Sequence, residues 1–186
     1  MGRLPKLEPE QMTEAQRRVH DAIVGGRRGS IRGPFPAWLH SPELADRAQN
    51  LGEYVRFETS LGARLSELAI LVTARFWTSN FEWYAHAMLA REAGLEDPII
   101  DAIEAGVRPR FEHDDDELIY DLATTLHRRH HIGDDLFARG VDRFGHRGMV
   151  DLVGVCGYYS LVSMTLNVYR MPVPEGAEEP FPQPAD

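Results

Sequence analysis

Leu65–Ala93, LSELAILVTARFW-TSN-FEWYAHAMLAREA, is the stretch on which the fold turns. Its first half is apolar nearly all round, as a helix enclosed by neighbours must be. Its second half has helical periodicity but carries Glu82 and His86 four residues apart. At about 100° per residue, Ser79, Glu82, His86, Leu89 and Ala93 share one stripe. Glu67 lies in the first half among Leu65, Leu68 and Ala69. A lone carboxylate is costly to bury there, so it should face a partner or a cavity. Glu67, Glu82 and His86 are therefore the candidate catalytic residues.

Outward from this pair the chain reads as helices throughout. Thr13-Glu14-Ala15-Gln16 matches a capping box and opens a helix that Gly25 and Gly26 stop. GRRGSIRGPFPAW is too rich in glycine and proline for a helix. Its end, Pro34–Trp38, reads as packing over the core or as a pocket wall, with packing favoured. Ser41-Pro42-Glu43 starts a helix to about Thr59, with Leu44, Ala48, Leu51 and Val55 on one face. Gly94 is a plausible C-cap of the helix that carries His86. Asp97-Pro98 opens a short helix. Asp114–Glu117 place negative charge at the start of the next, where the dipole favours it. Helices over about 135–144 and 149–169 follow, separated at Gly145 and Gly148. The tail after Met171 holds five prolines and should be extended or mobile. No alternating strand pattern occurs, and about eight helical segments imply an all-α fold.

Composition narrows the function. The chain has 186 residues, 43% of them hydrophobic and 26% charged, as in an ordinary globular domain. A net charge of -9 argues against nucleic-acid or anionic-membrane surfaces, which need clustered cations. Arg27, Arg28 and Arg32 do cluster, but glycines interrupt them. No run of about 18 apolar residues stands out as a spanning helix, and the first residues lack a signal-like apolar core. The expected location is the cytoplasm. Cys156 is the one cysteine, so neither an internal disulfide nor a cysteine zinc site can form. Its apolar surroundings make it a small hydrophobe. Two helices are apolar enough to suggest burial against another copy of the chain.

Other readings of the key residues stand beside the catalytic one. Ser79-Asn80-Phe81-Glu82 also matches a capping box, which would make Glu82 structural. His86 on a largely apolar face fits a satisfied core histidine. Glu67 fits a buried ion-pair partner of Arg75. His127 and His131 have a spacing that can bind metal, but the sequence places no acidic third ligand, so no metal site is expected.

At these same residues the sequence resembles the carboxymuconolactone decarboxylase family, within the alkyl hydroperoxidase D-like fold. The resemblance covers about residues 33–176, from GPFPAWLHSPELADRAQNLG through LGARLSELAILVTARFWTSNFEWYAHAMLAREAGL to GHRGMVDLVGVCGYYSLVSMTLNVYRMPVPEG. Its most specific part is Glu82-Trp83-x-x-His86. It divides the chain into a 1–32 extension with one helix and a Gly/Arg-rich loop, the 33–176 domain, and a 177–186 Pro-rich tail. It implies a helical bundle assembled as a trimer or hexamer, with the active site near a subunit interface. The family's redox branch has C-x-x-C-x-x-x-H with an upstream glutamate. Here Ser79 and Glu82 stand at the cysteine positions, which removes the thiol–disulfide cycle.

What remains resembles the decarboxylase branch, which implies a cofactor-free lyase acting on a small carboxylated lactone or ring acid. In that reading His86 is the acid/base, Glu82 or Glu67 orients it, Arg75 holds a substrate carboxylate, and Ser79 and Trp83 join in binding. The alternatives are a peroxiredoxin-like antioxidant, disfavoured by the missing cysteines, and a non-catalytic oligomeric binding protein.

Overall fold

The computed structural model describes residues 3–5 and 7–182. Among them there are eight α-helices and no strand. After a 3-10 turn at Pro9–Gln11 come α1 (Glu14–Gly25), α2 (Phe35–Trp38), α3 (Pro42–Phe57), α4 (Gly62–Phe76), α5 (Asn80–Glu92), α6 (Asp97–Glu104), α7 (Asp114–Arg129) and α8 (Asp134–Val168).

Helix α4 is the axis of the bundle. Every residue from Ser66 to Ala74 is buried, and α3, α5, α6, α7 and α8 all pack on it. This is why its sequence shows almost no polar face. The expected cap of α1 forms in both directions, with Gln16 N donating to Thr13 Oγ1 at 3.3 Å and Thr13 N donating to Gln16 Oε1 at 2.9 Å. Helix α1 packs on α3 and buries Val19 and Ile23 in the common core, so this helix shares the core of the domain.

Three expectations need correction. The buried face of α3 is Ala45, Ala48, Gly52 and Val55, one register away from the stripe that includes Leu44 and Leu51. Those two leucines are 43% and 48% exposed, because Ala45 and Gly52 let the neighbouring elements approach more closely. The short α2 starts at Phe35, with Pro34 as its N-cap residue and Pro36 in its first turn, where a fixed φ suits a helix, inside a stretch read as loop. The third concerns the C-terminal half of α8, which is long and apolar enough to cross a membrane by length and composition. Its inward face, including Leu152, Val155, Tyr159, Val162 and Leu166, fills the core, as in a central helix of a globular bundle. Gly145, at φ 66°, breaks α8 where the sequence separates two helices.

The tail is anchored as far as Phe181. Asn80 Nδ2 donates to Phe181 O at 3.0 Å and Phe181 N donates to Asn80 Oδ1 at 2.7 Å. The Phe181 ring is buried edge-on against Trp83. The tail expected to be extended or mobile carries no helix or strand among its described residues, and it is fixed at this apolar residue. Residues 183–186 lie outside the described part.

Candidate active site

The turn between α4 and α5 sets the site. Ser79 N donates to Ala74 O at 2.9 Å, closing α4 with a Schellman-type bond, and Thr78 takes the left-handed position at φ 48°. The reversal lays α5 back along α4 and brings His86 to Glu67. Ser79 makes no side-chain cap, and its buried Oγ has no partner among the described residues. The capping-box reading of Glu82 therefore fails, because its carboxylate turns to His86.

Both imidazole nitrogens are engaged. His86 Nδ1 lies 2.7 Å from Glu67 Oε2, and Nε2 lies 3.1 Å from Glu82 Oε1. All three residues are buried. A neutral imidazole donates only one of these bonds, whereas the imidazolium donates both. Burial alone drives the His86 pKa down, but the charges and hydrogen bonds of Glu67 and Glu82 outweigh it and raise the pKa to about 10. The triad is thus two carboxylates sharing one buried cation. Tyr159 of α8 stands edge-on to the imidazole, with centroids 4.9 Å apart.

A cavity of about 400 Å³ opens above Glu82 and His86. Tyr158 and Tyr159 form one wall, the Gly/Arg-rich loop forms another, and Arg28 and Arg56 line it as well. Pro34 and Phe35 line it while the rest of that segment fills the core, so both readings of the segment hold, each for different residues. Arg28 Nη2 lies 3.4 Å from Tyr158 Oη, its guanidinium covers the Phe35 ring, and its buried Nε has no partner among the described residues. Neither Arg28 nor Arg56 has a carboxylate within ion-pair distance among the described residues, although Arg27 pairs with Glu58 at 3.6 Å. In an acidic chain, two unpaired cations facing one cavity suit an anionic ligand.

The remaining expected site residues lie elsewhere. Arg75 donates from Nε to Glu104 O at 3.0 Å and covers Phe181, away from His86. It is not the partner of Glu67. Trp83 is buried against Phe181, and Ser79 is sealed in the turn, so neither lines the cavity. Arg28, Arg56, Tyr158 and Tyr159 are additions that the sequence did not assign. The Arg27–Arg32 cluster was the available signal for Arg28, but local periodicity offers none for Arg56. Cys156 is buried, and burial pushes its thiol up to about 12, far from a reactive thiolate. His127 turns inward, and no group of three metal-ligating side chains occurs among the described residues.

The helical bundle has the fold of alkylhydroperoxidase AhpD-core proteins. One solved structure, an AhpD-core, uncharacterized peroxidase-related protein from Ralstonia eutropha JMP134, superposes with a TM-score of 0.76 at 13% identity. The match covers 94% of this chain and 93% of that one. An uncharacterized peroxidase-related protein from Silicibacter sp. TM1040 superposes at 0.69 with 12% identity, covering 91% and 88%. At such identity the likeness is one of fold. The sequence matches no protein-family model and no curated protein.

Proposed function

We propose that this protein is a lyase or proton-transfer enzyme acting on a small carboxylated lactone or ring acid. The observation that carries the reading is the His86 imidazolium held between Glu67 and Glu82 at the base of an arginine-lined cavity. Glu82 and His86 line the cavity and Glu67 does not, so Glu82 exchanges the proton with substrate and His86 relays it. Glu67 holds the far N–H and keeps the ring oriented.

In a decarboxylation, the bond from ring carbon to carboxyl carbon breaks and carbon dioxide leaves. The electron pair stays on the ring as a dienolate, and the Glu82–His86 pair supplies the proton that quenches it at carbon. Arg28 and Arg56 hold the substrate's remaining anionic group and stabilise the developing charge. The buried, solitary Cys156 supports this reading over an antioxidant one, since a disulfide cycle needs an accessible thiolate.

We also propose a homo-oligomer, a trimer or hexamer. Support comes from the outward side of α8, where Val150, Val153 and Val168 are 69%, 53% and 59% exposed.

The test is turnover of a panel of carboxylated lactones and ring acids, followed by loss of substrate absorbance and release of carbon dioxide. With a substrate found, His86→Asn should lower kcat by roughly a hundredfold or more while the fold survives. Full activity in a folded His86→Asn protein refutes the assignment.

A further inference from the structure

A second cavity, of about 200 Å³, lies between α4, α7 and the turn after α6, and it shares no lining residue with the first. Its volume falls below the roughly 300 Å³ at which drug-sized sites begin, so it suits a single-ring molecule. Val72, Ile103 and Val107 give it an apolar lining.

Arg75, Thr124 and His127 are among the polar groups that line it, with Tyr120 and Arg128. Arg75 is held in place by its bond to Glu104 O and by Gly106, where a Cβ would come within 2.8 Å of Arg75 Nη2. Gly106 also needs its glycine for φ 73°. No carboxylate pairs with Arg75 among the described residues. Thr124 lines the cavity, and its buried Oγ1 has no hydrogen-bond partner among the described residues. His127 stacks on Phe76, and burial lowers its pKa, so it is neutral near pH 7. The Thr73 hydroxyl spends its one proton on Ala69 O at 2.8 Å, so His127 Nε2–H donates to Thr73 Oγ1, also at 2.8 Å. Nδ1 is left as an open acceptor.

An unpaired guanidinium, an unsatisfied buried hydroxyl and apolar walls form a complete recognition set for a small acid. We infer that this cavity is a second ligand site, taking a small monocarboxylic acid with a flat apolar body, its carboxylate on Arg75 and Thr124. The site does not depend on the proposed catalytic reading, because none of its residues belongs to that machinery.

Benzoate and its neutral isostere benzamide are the probes, titrated into the 15N-labelled full chain. Amide shifts should centre on Val107, Thr124 and His127, and benzoate should bind roughly tenfold or more tighter than benzamide. Arg75→Gln should abolish that preference, Arg75→Lys should retain part of it, and Thr124→Val should weaken benzoate. Thr124→Val is nearly isosteric, so it decides the matter if Arg75→Gln fails to fold. Shifts absent from Val107, Thr124 and His127, or a benzoate preference that survives in folded Arg75→Gln, overturn the inference.

Discussion

Replacing His86 by glutamine should unmask the electrostatic balance of the core. In the native protein the imidazole pKa rises from 6.5 to about 10, so the folded state binds a proton that the unfolded chain releases. For a raised pKa the stabilisation is fully present below the unfolded value and is lost as pH climbs through the folded one. At about 1.4 kcal/mol per unit, unfolding free energy should fall by about 2 kcal/mol between pH 6.5 and about pH 8.5.

That window isolates His86. His127 has a lowered pKa and acts in the opposite sense below 6.5, and Cys156 contributes only as pH rises past its ordinary value of 9.0. In His86→Gln the slope should vanish. Glu67 and Glu82 then face each other, buried, with no cation between them, at a cost of about 3–5 kcal/mol near neutral pH. Urea unfolding at several pH values, followed by circular dichroism, reads all of this. A wild-type stability that is flat or rising across the window would mean the imidazole is not held protonated, and the relay reasoning would collapse.

Gly52→Ala should destabilise the fold by about 1–3 kcal/mol in thermal unfolding, because the new Cβ meets Tyr158 Oη and Arg28 Nη2, and in an active enzyme it should raise KM. Thr78→Gly should raise stability by about 1 kcal/mol, since Thr78 sits at φ 48° where glycine is unstrained; an unchanged melting temperature argues against that strain. Cys156 should resist an aromatic disulfide reagent until denaturant is added, and rapid labelling of the native protein would contradict its burial. Light scattering at micromolar concentration should give a multiple of the chain mass; a monomer would remove the role assigned to the outer face of α8.

Much of this architecture is written in local periodicity. The enclosed α4, the Gly94 turn at φ 88° and the break at Gly145 follow from residues that leave the backbone few alternatives. Glu67 is conspicuous because a carboxylate in an apolar helix demands a partner, and the structure supplies His86. The partner's identity was harder to read. Arg75 is eight residues along the same helix, and only the reversal at Thr78 brings the more distant His86 within reach. Residues that meet across the bundle were not legible in this way. Arg28 and Arg56 approach one cavity from different elements, and the Arg28 guanidinium has its place because Gly52 carries no side chain there. Phe181 looks like part of a polar, Pro-rich tail until its ring is placed against Trp83.

That aromatic contact has a practical consequence for anyone shortening the chain. Phe181 covers both Trp83, one turn before His86, and the Arg75 guanidinium, so one terminal ring touches the supports of two separate cavities. Cutting after residue 176, where sequence alone would draw the border, would strip that cover and leave the amide of Asn80 without either bond that now fixes the start of α5. A fusion joined beyond Pro182 would spare it. The useful end of the folding unit lies past a stretch that looks dispensable.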